Sequence, residues 1–209
     1  MNYSTIGNYS SPSYFTSLWQ QKLLPGLSWS YTAGAQYNSK GGQYAQLIFG
    51  GYDSSRFTSN TASFTLALDV DRDIVVAIQS ITFSGTTQAS LLSDPIYAFI
   101  ESTDPNIWLP ADACRAFEKA FGLSMDNSTG LYLMNSTQYS QLLAINPQVT
   151  FSLANGLTGG TSVSIILPFR AFALSAQYPF TPNDTYYFPL KQATNATQYT
   201  LGRAFLQEA

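Results

Sequence analysis

Apolar residues recur along this chain in short runs, many of them with period two. Phe64-Thr65-Leu66-Ala67-Leu68 alternates strictly and residues 76–83 alternate in part, the spacing of strands with one buried face. Leu47-Ile48-Phe49 is an apolar run halted by Gly50-Gly51. Further strand-like runs follow at 96–100, 149–153, 163–167, 186–190 and 199–201. Turn clusters separate them at 38–42, Ser84-Gly85, Asn155-Gly156 and Gly159-Gly160. Three stretches carry helical spacing instead. Residues 13–23 follow Pro12 and put Tyr14, Leu18 and Trp19 on one side. Residues 111–121 align Cys114, Phe117 and Phe121 between Pro110, a helix opener, and Gly122, a stop. Residues 137–144 form a shorter third. Many strands, a few short helices and no strand–helix alternation predict an all-β, antiparallel architecture in one domain spanning 1–209.

Composition narrows the functional classes. The 209 residues are 45% hydrophobic, 15% aromatic and 10% charged, the reverse of a disordered chain, so a packed core is expected. No apolar run approaches the roughly 20 residues needed to span a bilayer, so no membrane segment is predicted. Nine basic and twelve acidic residues give a net charge of −3, with no basic stripe for a nucleic acid. Histidine is absent, which removes Ser-His-Asp and Cys-His catalysis and His-ligated zinc. The single cysteine, Cys114, cannot close an internal disulfide or build a thiolate cluster, and its place on an apolar helix face predicts a buried thiol. No metal or cofactor is expected. Any catalysis must run on carboxylates, hydroxyls, Lys or Tyr. A chain with few ion pairs and no histidine is also expected to tolerate acid, because those groups drive most acid unfolding.

Asn-x-Ser/Thr acceptors occur at Asn2, Asn8, Asn127, Asn135, Asn183 and Asn195, more than the two or three that composition gives by chance (roughly). They point to an extracytoplasmic glycoprotein, secreted or at the cell surface or vacuole. A Ser/Thr/Asn-rich loop composition is the competing explanation. Met1-Asn2-Tyr3-Ser4 lacks the apolar stretch of a signal peptide, so the expectation is that a leader has been removed or that the chain is part of something longer.

Two patterns invite and fail a motif reading. Asp69-Val70-Asp71-Arg72-Asp73 has the alternating carboxylates of a calcium loop, but Ile74 and Ser80 stand where Gly and a bidentate Glu are required, so a solvated hairpin turn is expected. The Gly-Gly pairs at 41–42, 50–51 and 159–160 match no phosphate-binding fingerprint and read as turns. One constellation is left. Phe99-Ile100-Glu101-Ser102-Thr103-Asp104-Pro105 places a carboxylate directly after an apolar strand, with hydroxyls beside it and Trp108, Pro110 and a helix following. Such a carboxylate is either a tuned site or the start of a surface loop; the pattern alone leaves both open.

The order of these features resembles the C-terminal lobe of pepsin-like (family A1) aspartic proteases, most closely secreted fungal members. Leu47–Phe57 in sequence (Leu-Ile-Phe-Gly-Gly-Tyr-Asp-Ser-Ser-Arg-Phe) is similar to the family's apolar, Gly-Gly, Asp-Ser stretch. Residues 78–85 are similar to its apolar strand and polar hairpin. Residues 99–110 fall at its second catalytic loop, 111–122 at the following helix, and Tyr199-Thr200-Leu201-Gly202-Arg203-Ala204-Phe205 at the hydrophobic-hydrophobic-Gly strand beneath that loop.

The resemblance implies peptide hydrolysis by two carboxylates, one from each lobe, that share a proton and activate a water. It also implies that an N-terminal lobe carrying the second carboxylate, and final strands beyond residue 209, are not in this sequence. The family's loop reads Asp-Ser/Thr-Gly-Ser/Thr. Here Glu101 stands at the Asp position, Ser102 fits, Thr103 replaces Gly, and Asp104 replaces Ser or Thr. The expectation is a catalytically defective lobe. The alternatives are half of an active acid endopeptidase that works once an N-terminal lobe is supplied, and an extracellular module binding peptide or glycan in a half-cleft with Tyr97 and Trp108.

Overall fold

The computed structural model describes residues 3–6, 9–38, 44–68 and 72–209. The chain opens with the hairpin β1 (Tyr3–Ile6) and β2 (Tyr9–Pro12), helix α1 (Tyr14–Gln20), and a second hairpin, β3 (Trp29–Thr32) and β4 (Gln46–Phe49). Then come β5 (Val75–Ser84), β6 (Gln88–Ser90), β7 (Ile96–Ile100), β8 (Ile107–Leu109) and helix α2 (Ala111–Phe121). After β9 (Met125–Asp126) and β10 (Leu131–Met134) follow α3 (Ser136–Ile145), β11 (Gln148–Ala154), β12 (Ser162–Pro168) and α4 (Phe169–Phe172). The last strands are β13 (Leu174–Ala176), β14 (Thr185–Phe188), β15 (Leu190–Gln192) and β16 (Thr200–Leu201).

An eight-stranded sheet organises the molecule, in the order β12-β11-β5-β7-β16-β8-β15 with β6 added to β5. Its long strands are antiparallel: β11 pairs with β5 and β12 through Val, Ile, Phe and Leu positions whose alternation buries one face. A register shift at Ser152/Leu153 bends the sheet there. Two pairings are parallel, β16 with β7 and β15 with β8. A smaller sheet, β13-β14-β10-β9, packs against the same core.

Helix α2 shows how the sequence fixes the core. Pro110 precedes its first turn, and Gly122, at φ 67°, ends it by returning its N–H to the Glu118 carbonyl. Between these signals Ala113, Cys114, Phe117 and Phe121 line the inward face and are buried. Phe117, Phe121, Phe172 and Phe188 form one cluster with ring centroids 4.7–6.4 Å apart, in stacked, tilted and edge-on arrangements. Each such ring contributes about 1.5–3 kcal/mol by burial.

The three expected helices appear, α2 with the expected bounds, α3 one residue longer at each end, and α1 stopping at Gln20, short of the expected residue 23; α4 is a four-residue helix that the spacing does not predict. One predicted strand is absent. Residues 64–68 join no ladder: the Asn155 carboxamide bonds the Thr65 N–H and the Ser63 carbonyl, and the Ala67 N–H donates to the Asp73 carbonyl. Phe64, Leu66 and Leu68 point outward, 37%, 62% and 101% exposed, so the alternation there marks no buried face. The run expected at 186–190 is two strands broken at Pro189, which cannot donate to a ladder. Residues 69–71 of the acidic stretch, and Gly41-Gly42, lie outside the described residues, as do Asn2 and Asn8. No described helix is long and apolar enough to cross a membrane.

Candidate functional site

Strands β7 and β8 are linked by residues 101–106, yet they do not pair with one another. Strand β16 runs between them, parallel to β7 (Thr200↔Phe99, Leu201↔Ile100) and antiparallel to β8 (Thr200↔Trp108, Leu201↔Ile107). The loop therefore arches over the end of β16. Its base is pinned by the Glu101 N–H to the Leu201 carbonyl (3.1 Å), and its far side by the Arg203 N–H to the Asp104 carbonyl (2.7 Å). Gly202 lies directly under the arch. A Cβ at that position would overlap the backbone oxygens of Asp104 and Asn106, so only glycine lets the strand pass so close.

Glu101 is half-buried at the exit of β7. Its Oε1 accepts both the Thr103 N–H (2.8 Å) and the Thr103 hydroxyl (2.7 Å). The carboxylate is thus turned into its own loop, bonded to both donors of Thr103. Ser102 and Thr103 are exposed. Asp104 is bound more heavily. Its Oδ1 accepts the Asn106 N–H (2.7 Å) and carboxamide (3.0 Å), and its Oδ2 accepts the Trp108 indole N–H (2.6 Å). All four candidate residues therefore share one loop, in which Thr103 engages Oε1 of Glu101 while both oxygens of Asp104 are taken up by Asn106 and Trp108.

Lys191 and Tyr187 stand near Asp104. Burial lowers the Lys191 pKa while Asp104 opposes the change, and the Lys191 ammonium donates to the Gly130 carbonyl. Burial raises the Tyr187 pKa, with Arg203 acting against it and Asp104 with it. Sequence spacing did not mark either residue, because β15 and β14 reach the loop through chain folding alone. Two cavities flank the loop. One, of about 600 Å³, is walled by Pro105, Asn106, Tyr178, Phe180, Tyr187 and Lys191. The other, of about 700 Å³, includes Tyr31, Tyr37, Arg170, Tyr187 and Arg203. Tyr97 and Trp108, the aromatics expected in a half-cleft, line neither.

Cys114 is buried, as its helix face predicts. Burial, and then the Glu118 charge, push its thiol up to about 12, so it is no nucleophile. Among the described residues no three His, Cys, Asp or Glu side chains gather closely enough to hold a metal ion.

A strand thus passes under a carboxylate-bearing loop, between the two strands that the loop itself connects. Comparison with known proteins gives the class. The profile described as "Eukaryotic aspartyl protease" matches residues 1–209, and the chain belongs to that family. Rhizopuspepsin-4 of Rhizopus niveus is 28% identical over 133 residues, 63% of this chain and 30% of that protein. The crystal structure of an aspartic proteinase from Irpex lacteus superposes with a TM-score of 0.63 at 17% identity, covering 95% of this chain and 56% of that one. The chain thus spans little more than half the length of this solved relative.

Proposed function

We propose that this chain is a lobe of pepsin type that binds extended polypeptide beside the 101–106 loop and does not hydrolyse it. The observation that carries the reading is the bonding of Glu101. Aspartic peptidase chemistry needs a carboxylate that faces a second one across a cleft, close enough to share a proton and hold a water. The Oε1 of Glu101 is instead occupied by two donors of Thr103. The additional methylene of Glu displaces the carboxylate by roughly a bond length, and a misplacement of about 1 Å can cost on the order of a hundredfold in rate. Asp104 adds a carboxylate that anchors Asn106 and Trp108 and has no free role.

A second reading, half of an active acid endopeptidase, draws support from the Glu101 N–H to Leu201 carbonyl bond, which holds residue 101 at the exit of β7. The two readings part in one experiment. The chain is joined to the N-terminal lobe of an active pepsin-type enzyme and incubated with a quenched peptide at about pH 3.5, between the usual dyad pKa values. The proposal expects no turnover above that of the E101A fusion. Turnover blocked by pepstatin and lost in E101A would establish the second reading.

We also infer an extracytoplasmic glycoprotein. Asn127, Asn135, Asn183 and Asn195 are all exposed, which supports the reading. Endoglycosidase treatment of the protein made in a eukaryotic host should lower its apparent mass.

A further inference from the structure

The larger cavity beside the loop carries an unused positive charge. Arg170 and Arg203 both line it, both are exposed, and neither forms an ion pair with a carboxylate among the described residues. They are brought together from α4 and from the segment just after β16, although 33 positions separate them in the chain. Tyr31, Tyr37 and Tyr187 add aromatic side chains to the wall. The Tyr37 hydroxyl is buried without a hydrogen-bond partner among the described residues, an uncommon state for a polar atom. On a chain of net charge −3, two unpaired guanidinium groups and an unspent phenol at one cavity are a local reversal of sign.

We infer that this cavity receives a carboxylate carried by the bound polypeptide. Guanidinium forks present parallel N–H donors that match a carboxylate bidentately, and tyrosine rings cover the adjoining chain while offering hydroxyls. Continuity favours a polypeptide as the carrier. Pro105, Ser175 and Tyr187 line both this cavity and the one beside Asn106 and Lys191, so the two form neighbouring stretches of one groove along the loop. An extended chain lying past Asn106 would bring a side chain or its C-terminus over Arg170 and Arg203. This inference rests on the peptide-binding reading above and adds its selectivity.

The test measures fluorescence anisotropy of labelled synthetic peptides on the 209-residue chain. The peptides share one apolar and aromatic sequence and differ in a single group: an internal Glu with an amidated end, an internal Gln with a free C-terminal carboxylate, and an internal Gln with an amidated end. A carboxylate-bearing peptide should bind about tenfold more tightly than the all-amide one, the effect of one charge-assisted contact. Which of the two does so identifies the source of the carboxylate. The preference should shrink in high salt, disappear in R170A/R203A and survive in part in R170K/R203K. R170Q and R203Q, each alone, replace the double variant should its melting temperature fall. Equal affinity for all three peptides, or a preference unchanged in the arginine variants, overturns the inference and leaves peptide binding standing. No binding of any peptide overturns both.

Discussion

The Trp108 indole nitrogen lies 2.6 Å from Oδ2 of Asp104, across a turn of four residues, while Oδ1 of the same carboxylate caps the Asn106 N–H. One side chain thus ties the 101–106 loop to β8. The loop is fastened by a carboxylate other than that of Glu101.

Removing that fastening should loosen the loop without unfolding the sheet. D104A leaves an indole N–H and a backbone N–H without their partner, a loss of about 1–3 kcal/mol. Urea unfolding should register it. Trp108 emission should change as well, because Trp108 is half-buried whereas Trp19 and Trp29 are 44% and 53% exposed.

Gly202 has no tolerance for a side chain. G202A forces a methyl group against the Asp104 and Asn106 carbonyls and should cost about 3–5 kcal/mol, at the severe end for a single substitution. The thermal midpoint should drop steeply, with loss of the Trp108 environment at temperatures where the unmodified chain is folded. A midpoint unchanged within error would mean that β16 does not run beneath the loop as described.

The hydrogen bond from the Ser93 hydroxyl to Asp112 lowers the Asp112 pKa from the ordinary 3.8, with a smaller contribution from the Ala113 N–H at the start of α2. A depressed carboxylate pKa in the folded state stabilises above the unfolded value, and that stability is lost as pH falls through the folded one. S93A should therefore destabilise at neutral pH, by less than about 1 kcal/mol at this solvated position, with the difference shrinking as the pH falls below the ordinary 3.8. Melting curves of both proteins across pH 2–7 (roughly) read this directly.

Cys114 should be silent in the folded protein. With its thiol pushed up to about 12, only about one molecule in ten thousand carries a thiolate at pH 8. Ellman's reagent should label it only once denaturant opens the core. Rapid labelling without denaturant would contradict its burial on the inward face of α2.

Much of this arrangement was legible from local signals. Helix α2 was readable to its last residue because Pro110 and Gly122 are chemical stop marks independent of tertiary context. The long strands β5, β11 and β12 were readable from their apolar spacing. Residues 64–68 misled because alternation reports two faces and says nothing of which is buried; a side-chain amide from Asn155 holds that backbone in place of a neighbouring strand. Three-residue β8 was hidden in what read as loop, since Ile107-Trp108-Leu109 is too short to show a period. Glu101, Ser102, Thr103 and Asp104 could be singled out as a group, but the bonds that close each carboxylate could not. They depend on turn geometry, as the placing of Arg170 and Arg203 on one cavity depends on the path of the chain.

The central claim is that the remodelled loop, and nothing else in this lobe, withholds catalysis. It is tested most directly by restoring the family's loop in the two-lobed fusion with E101D, T103G and D104T together, and measuring kcat/KM on a quenched peptide at about pH 3.5. The account expects the unmodified fusion to show no turnover and the restored one to cleave with pepstatin sensitivity. Comparable cleavage by both would contradict it.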